Sequence, residues 1–115
     1  MRYMVMHYQT QEMEDGARPS PELQAAIGQY MQEAAMSGVL LAGEGVAPSS
    51  AGARVEVNDG AVRVIDGPFA EAKEMVGGFF LIDVPTREEA VAIARECPAA
   101  EWATVEVRET GPCYT

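Results

Sequence analysis

At 115 residues and 12.3 kDa the chain has the length of one domain, enough to bury roughly two thirds of its unfolded surface without metal or disulfide staples. Eighteen Asp and Glu against eight Lys and Arg give a net charge of -10, which argues against nucleic-acid partners, since wrapping a phosphate backbone depends on cations displacing counterions. With 48% hydrophobic and 23% charged residues, the composition is not that of a disordered acidic tail either.

Arg2 to Tyr8 is an apolar run of strand formers and predicts a central strand. Gln9 to Arg18 is a polar, acidic connection. Ser20-Pro21-Glu22 then supplies an N-cap, a first-turn proline and an early carboxylate, so a helix should run from Pro21 to about Ser37, with Leu23, Ala26, Ile27, Tyr30, Met31 and Ala34 on its apolar stripe and Gly38 as its stop. Val39 to Val46 reads as a second strand, in which Gly43 and Gly45 flank Glu44, and Pro48 to Gly52 as a loop. Two alternating runs, Ala53 to Asn58 and Ala61 to Ile65, are joined by Asp59-Gly60, a pair suited to a primed two-residue turn, and should form a half-solvated hairpin with Val55 and Val57 sharing one face.

Asp66-Gly67-Pro68-Phe69 predicts a turn, Ala70 to Val76 about two turns of helix, and Gly77-Gly78 a break. Phe79 to Val84 reads as a strand, and Thr86 to Glu89 as the capping box of a helix with Ala90, Ile93, Ala94 and Cys97 inward and Pro98 at its end. Trp102 to Arg108 alternates as the final strand. The order of elements predicts an α+β fold of ferredoxin-like type, an antiparallel sheet with two helices on one face and an inserted hairpin. Two helices cover only one face of such a sheet, so a homodimer is expected to bury the other.

No stretch approaches the ~20 apolar residues needed to span a bilayer, and the apolar start is too short for a signal peptide. Cys97 and Cys113 form no CxxC pair and read as free thiols of a cytoplasmic protein.

The run Asp66-Gly-Pro-Phe-Ala-Glu-Ala-Lys-Glu74, followed by Gly77-Gly78-Phe79-Phe80-Leu81-Ile82-Asp83, resembles the signature of the DGPF-domain proteins of the YCII-related family. The resemblance extends to Tyr3-Met4, Ala42-Gly43-Glu44-Gly45, Glu88-Glu89-Ala90 and Val105-Glu106-Val107-Arg108, nearly the whole chain. It implies a dimeric ferredoxin-like α/β barrel. It also implies a link, in some relatives, to extracytoplasmic-function sigma factors, and in the wider group a His and Asp pair in a pocket. Here the helix after the first strand holds no His, and the one His of the chain is His7, so that pair is not carried over.

Candidate site residues follow from chemistry. Asp66 starts a turn, where its carboxylate accepts backbone N–H bonds, and at a strand end it could also orient a ligand or act as a base. Phe69 is a core or pocket wall. Lys73, amid Glu71 and Glu74, reads as part of a solvated face or as an anion partner aimed at Asp66 or Glu44. Glu44 between glycines marks either a bulge or a close ligand approach. His7 titrates nearest neutrality and shares a strand face with Tyr3 and Val5, as a core or interface histidine or as an acid/base. Met4, Met6, Met31, Met36 and Met75 suit an adaptable core or pocket lining, with the surface as the alternative for Met36. No Walker loop, Rossmann pattern, HExxH or nucleophile elbow is present, one His and two distant Cys make no ordinary zinc site, and no cofactor is called for. Two functions stay open: a ligand-binding or accessory dimer, and a small cofactor-independent enzyme with Asp66 or His7 as acid/base.

Overall fold

The computed structural model describes residues 1–69 and 75–112. Its elements follow in the order β1 (Arg2–Gln9), α1 (Gln11–Glu14), α2 (Pro21–Met36), β2 (Leu40–Gly45), β3 (Ala53–Asn58), β4 (Ala61–Asp66), β5 (Met75–Asp83), α3 (Arg87–Glu96) and β6 (Val105–Glu109). Short 3-10 turns lie at Ser49–Ala51 and Pro98–Glu101. The helices begin where the caps place them. The Ser20 hydroxyl accepts from the Leu23 N–H at 3.1 Å and the Thr86 hydroxyl from the Glu89 N–H at 3.2 Å. Past α2 the chain turns at Gly38 with φ of 83°, a left-handed conformation that favours glycine.

Four strands form one antiparallel sheet in the order β2-β5-β1-β6, the arrangement of a split β-α-β fold. Pairing of Tyr3 with Ile82 and Val5 with Phe80 puts these four side chains on one face, where they make the core with Ala90 and Ala94 of α3 and, at its margin, Tyr30 and Met31 of α2. Both long helices therefore cover the same face. Tyr30 ties them together: its ring meets Phe80 edge-on at 6.4 Å, and its hydroxyl donates to the Ile93 carbonyl of α3. Burial pushes the Tyr30 phenol up to about 12. On the opposite face Met4 pairs with Leu81 and Met6 with Phe79, all four half-buried, and no helix lies over them among the described residues.

The hairpin forms a separate two-stranded sheet. Asp59 and Gly60 take φ of 50° and 80°, both positive as a primed turn requires, and Val55 opposes Val64 while Val57 opposes Val62.

Four readings are corrected. Gly77-Gly78 is not a break, because β5 runs through both residues. The Gln9 to Arg18 connection contains α1, capped by the Thr10 hydroxyl and anchored by buried Met13. The last strand begins at Val105 rather than Trp102, since Pro98 starts a 3-10 turn that carries the chain through Trp102. The hairpin is not half-sheltered by its own chain: the four valines are 65–68% exposed. The helix expected from Ala70 falls on residues 70–74, outside the described residues, and Met75 and Val76 already belong to β5.

Candidate functional site

His7 follows Tyr3 and Val5 on the helix-covered face and lies opposite Gly78 on β5 and Val105 on β6. The missing side chains at Gly77 and Gly78 make room for its ring. A Cβ on Gly77 would stand 2.9 Å from His7 Nε2, and one on Gly78 would crowd His7 Cε1 more closely still. The ring is half-buried, and desolvation pulls its pKa below the ordinary histidine value, with hydrogen bonding to the Gly77 backbone opposing that pull. At pH 7 the imidazole is therefore neutral, with one nitrogen able to accept a proton.

His7 lines a cavity of about 770 Å³ at this end of the sheet, between α2, the 3-10 turn at Pro98–Glu101 and the chain on either side of Pro19 and Ala47. Its apolar wall includes Met13, Ile27, Met31, Phe80 and Trp102. The polar groups are few: His7, Gln9, Arg18 and Glu44. Gln9 reaches the Val46 carbonyl through Nε2 at 3.5 Å, while its Oε1 is buried without a hydrogen-bond donor among the described residues, an acceptor beside the cavity with capacity to spare. Arg18 is the one cation among the lining residues. Such a wall, apolar with a few convergent polar groups, suits a small organic molecule that has one polar edge.

Of the residues proposed from sequence, His7 and Glu44 come together at this cavity, with Glu44 exposed at its edge. Asp66 and Phe69 lie outside the lining, and Lys73 falls outside the described residues. The turn that holds Asp66 is fixed by a different residue. The Glu14 carboxylate accepts from both the backbone N–H and the hydroxyl of Ser49, and the Phe69 N–H donates to the Ser49 hydroxyl at 3.3 Å. No side-chain hydrogen bond to the Asp66 carboxylate is present among the described residues, so the expected capping of its own turn is replaced by Ser49. Gly67 is required there because a Cβ would run into the Ser49 carbonyl. The Arg54 guanidinium lies 4.0 Å over the Phe69 ring. This knot joins α1, the β2–β3 connection and the Asp66 turn, and so braces the cavity wall at Pro48.

Gln9, Arg18 and Trp102 were not singled out by sequence. A Gly-Gly pair opposite a histidine on an adjacent strand was the available signal for the site, but it requires the strand register to be known.

A second polar cluster stands on the uncovered face. The Tyr8 hydroxyl donates to Glu106 Oε2 at 2.9 Å, and Arg108 Nε donates to the same oxygen at 2.6 Å. These bonds, Tyr8 first, hold the Glu106 carboxyl below the usual carboxylate range. Among the described residues no three His, Cys, Asp or Glu side chains are grouped to hold a metal, and no helix is long and apolar enough to cross a membrane.

The YCII-related domain family matches residues 1–112. An uncharacterized protein of Rhizobium meliloti (strain 1021) is 31% identical over 110 residues, covering 90% of this chain and 86% of that protein. Among solved structures, 5-chloro-2-hydroxyhydroquinone dehydrochlorinase (TftG) from Burkholderia phenoliruptrix AC1100, in complex with 2,5-dihydroxybenzoquinone, is similar with a TM-score of 0.45 and 17% identity, over 96% of this chain and 94% of its own.

Proposed function

The chain belongs to the YCII-related domain family, and from that premise we propose that it is a homodimeric, cytoplasmic binding protein whose cavity holds a small organic molecule against His7. The observation that carries this reading is the cavity itself. Its volume of about 770 Å³ falls within the range of small-molecule sites, its walls are mostly apolar, and its one titratable ring is held neutral by burial. An accessory or regulatory role, including the sigma-factor link that the resemblance implies, needs no more than this binding step. The free, buried thiol of Cys97 is in keeping with a reducing compartment. The half-buried Met4, Met6, Phe79 and Leu81 on the uncovered sheet face support the homodimer, because a second copy removes that apolar surface from water with no new sequence.

The state of His7 also favours a second reading, a cofactor-independent enzyme. A neutral imidazole at a cavity wall accepts a proton from an acidic O–H or C–H of a bound molecule near pH 7 and returns it later. In that reading the acid/base is His7 rather than Asp66, because His7 is the one of the two that lines the cavity.

Native mass spectrometry of freshly purified protein tests the binding step. The expected result is a retained small molecule at one per chain, released when Met31→Trp fills the cavity. Retention unchanged by that substitution would place the ligand elsewhere and overturn the proposal.

A further inference from the structure

We propose that the hairpin β3–β4 is an assembly arm, whose Val55, Val57, Val62 and Val64 face packs against a second copy of this chain. Paired as Val55 with Val64 and Val57 with Val62, the four side chains lie side by side on one face. They are 65–68% exposed. The other face of the arm carries Glu56 opposite Arg63, together with Arg54 and Asn58, while on the valine face the one charged residue is Asp66, opposite Ala53 at the base of the arm. Charged residues along the length of both faces, rather than at the base alone, would be expected of an arm that stays in water.

The dimensions of the chain point the same way. It exposes 7936 Å², against about 6,100 Å² for a compact monomer of its mass. Its radius of gyration is 16.0 Å, where a compact chain of this length has about 13 Å. The excess of roughly 1,800 Å² is ample for one partner's share, about 800 Å², of a standard interface.

Area also identifies the occupant. Four valines at two-thirds exposure offer roughly 300 Å² of apolar surface, so two arms together contribute about 600 Å². A stable interface needs about 1,200 Å² or more. The arm is too small to hold a partner alone, and the sheet face of Met4, Met6, Phe79 and Leu81 is a second apolar surface with no helix over it among the described residues. A second copy uses both surfaces at once. The four valines themselves bring no charge towards an approaching copy, and the one carboxylate on their face, Asp66, stands at the base of the arm, which matters for a chain of net charge -10.

The inference rests on the homodimer proposed above, and sedimentation equilibrium separates the two. Three proteins are compared at the same ionic strength: wild type, Val57→Lys/Val62→Lys, and a quadruple Val→Thr variant that keeps β-branched side chains and strand propensity. The expected result is a wild-type dimer, at least 100-fold weaker association for the lysine variant, and intermediate weakening for the threonine variant, all three with the same far-UV circular dichroism. A dimer of unchanged affinity in both variants overturns the arm and leaves the homodimer standing. A wild-type monomer at micromolar concentration overturns both. Association of the arm with a different protein or with a lipid surface, alongside an unchanged homodimer, also overturns it.

Discussion

Gly78→Ala probes the His7 niche from the opposite strand. A Cβ at this position would stand closer than 3.0 Å to His7 Cε1, a separation real Cβ atoms essentially never show, and 3.2 Å from the Glu44 carbonyl. The peptide on the Glu44 side is fixed in the β2–β5 ladder, so the ring must yield. Overpacking of this kind costs about 1–3 kcal/mol. A glycine replaced by alanine in a strand otherwise gains about 0.5–1 kcal/mol, because the unfolded chain loses freedom. The net expectation is a loss of about 1 kcal/mol with His7 present and a gain of about 0.5–1 kcal/mol in a His7→Ala background, the difference being the clash itself, a coupling of about 1–3 kcal/mol. Urea unfolding of wild type, both single variants and the double variant measures it. An equal cost for Gly78→Ala in both backgrounds would refute the claim that the glycine exists to seat the imidazole.

Gly67→Ala should be worse, because its Cβ meets the Ser49 backbone rather than a movable side chain; a loss of at least about 3 kcal/mol, or failure to fold, is expected in the same assay. His7 should also leave a pH signature. Its folded pKa lies below the unfolded value of 6.5, so the unfolded chain takes up a proton first, and stability is lost as pH falls from 6.5 towards the folded value, with no further loss from this group below it. His7→Gln should remove that component, so the difference in thermal midpoint between wild type and variant should be constant above pH 7 and shift in favour of the variant as the pH falls to 5.

Much of the fold was legible because its signals are local. Ser20-Pro21 and Thr86 act on their own helices, Asp59-Gly60 acts on its own hairpin, and the alternation of Tyr3, Val5 and His7 against Met4 and Met6 is a property of one strand. The elements misread all depend on distant partners. Gly77-Gly78 resembles a break until β1 is laid beside it and the glycines are seen to accommodate His7 and Gln9. Asp66 has the form of a turn cap, yet Ser49, far along the chain, makes the bonds. For the same reason only part of the site was readable. His7 stood out by its chemistry, whereas Arg18 and Trp102 reach the cavity from segments with no periodic pattern. The valines of the arm were recognised as one face, but sequence alternation does not say whether the chain itself covers that face.

The most direct test follows His7 and Trp102 together by NMR, through the His7 Cε1–Hε1 and Trp102 Nε1–H resonances, while a library of small organic molecules is titrated into the protein. Both groups line the same cavity from different elements. Ligand binding there predicts compounds that shift both resonances with one saturation curve, at one site per chain, and that lose affinity as pH falls through the lowered pKa of the folded His7 and the ring charges. Compounds that bind while leaving both resonances unmoved would contradict a functional site at His7.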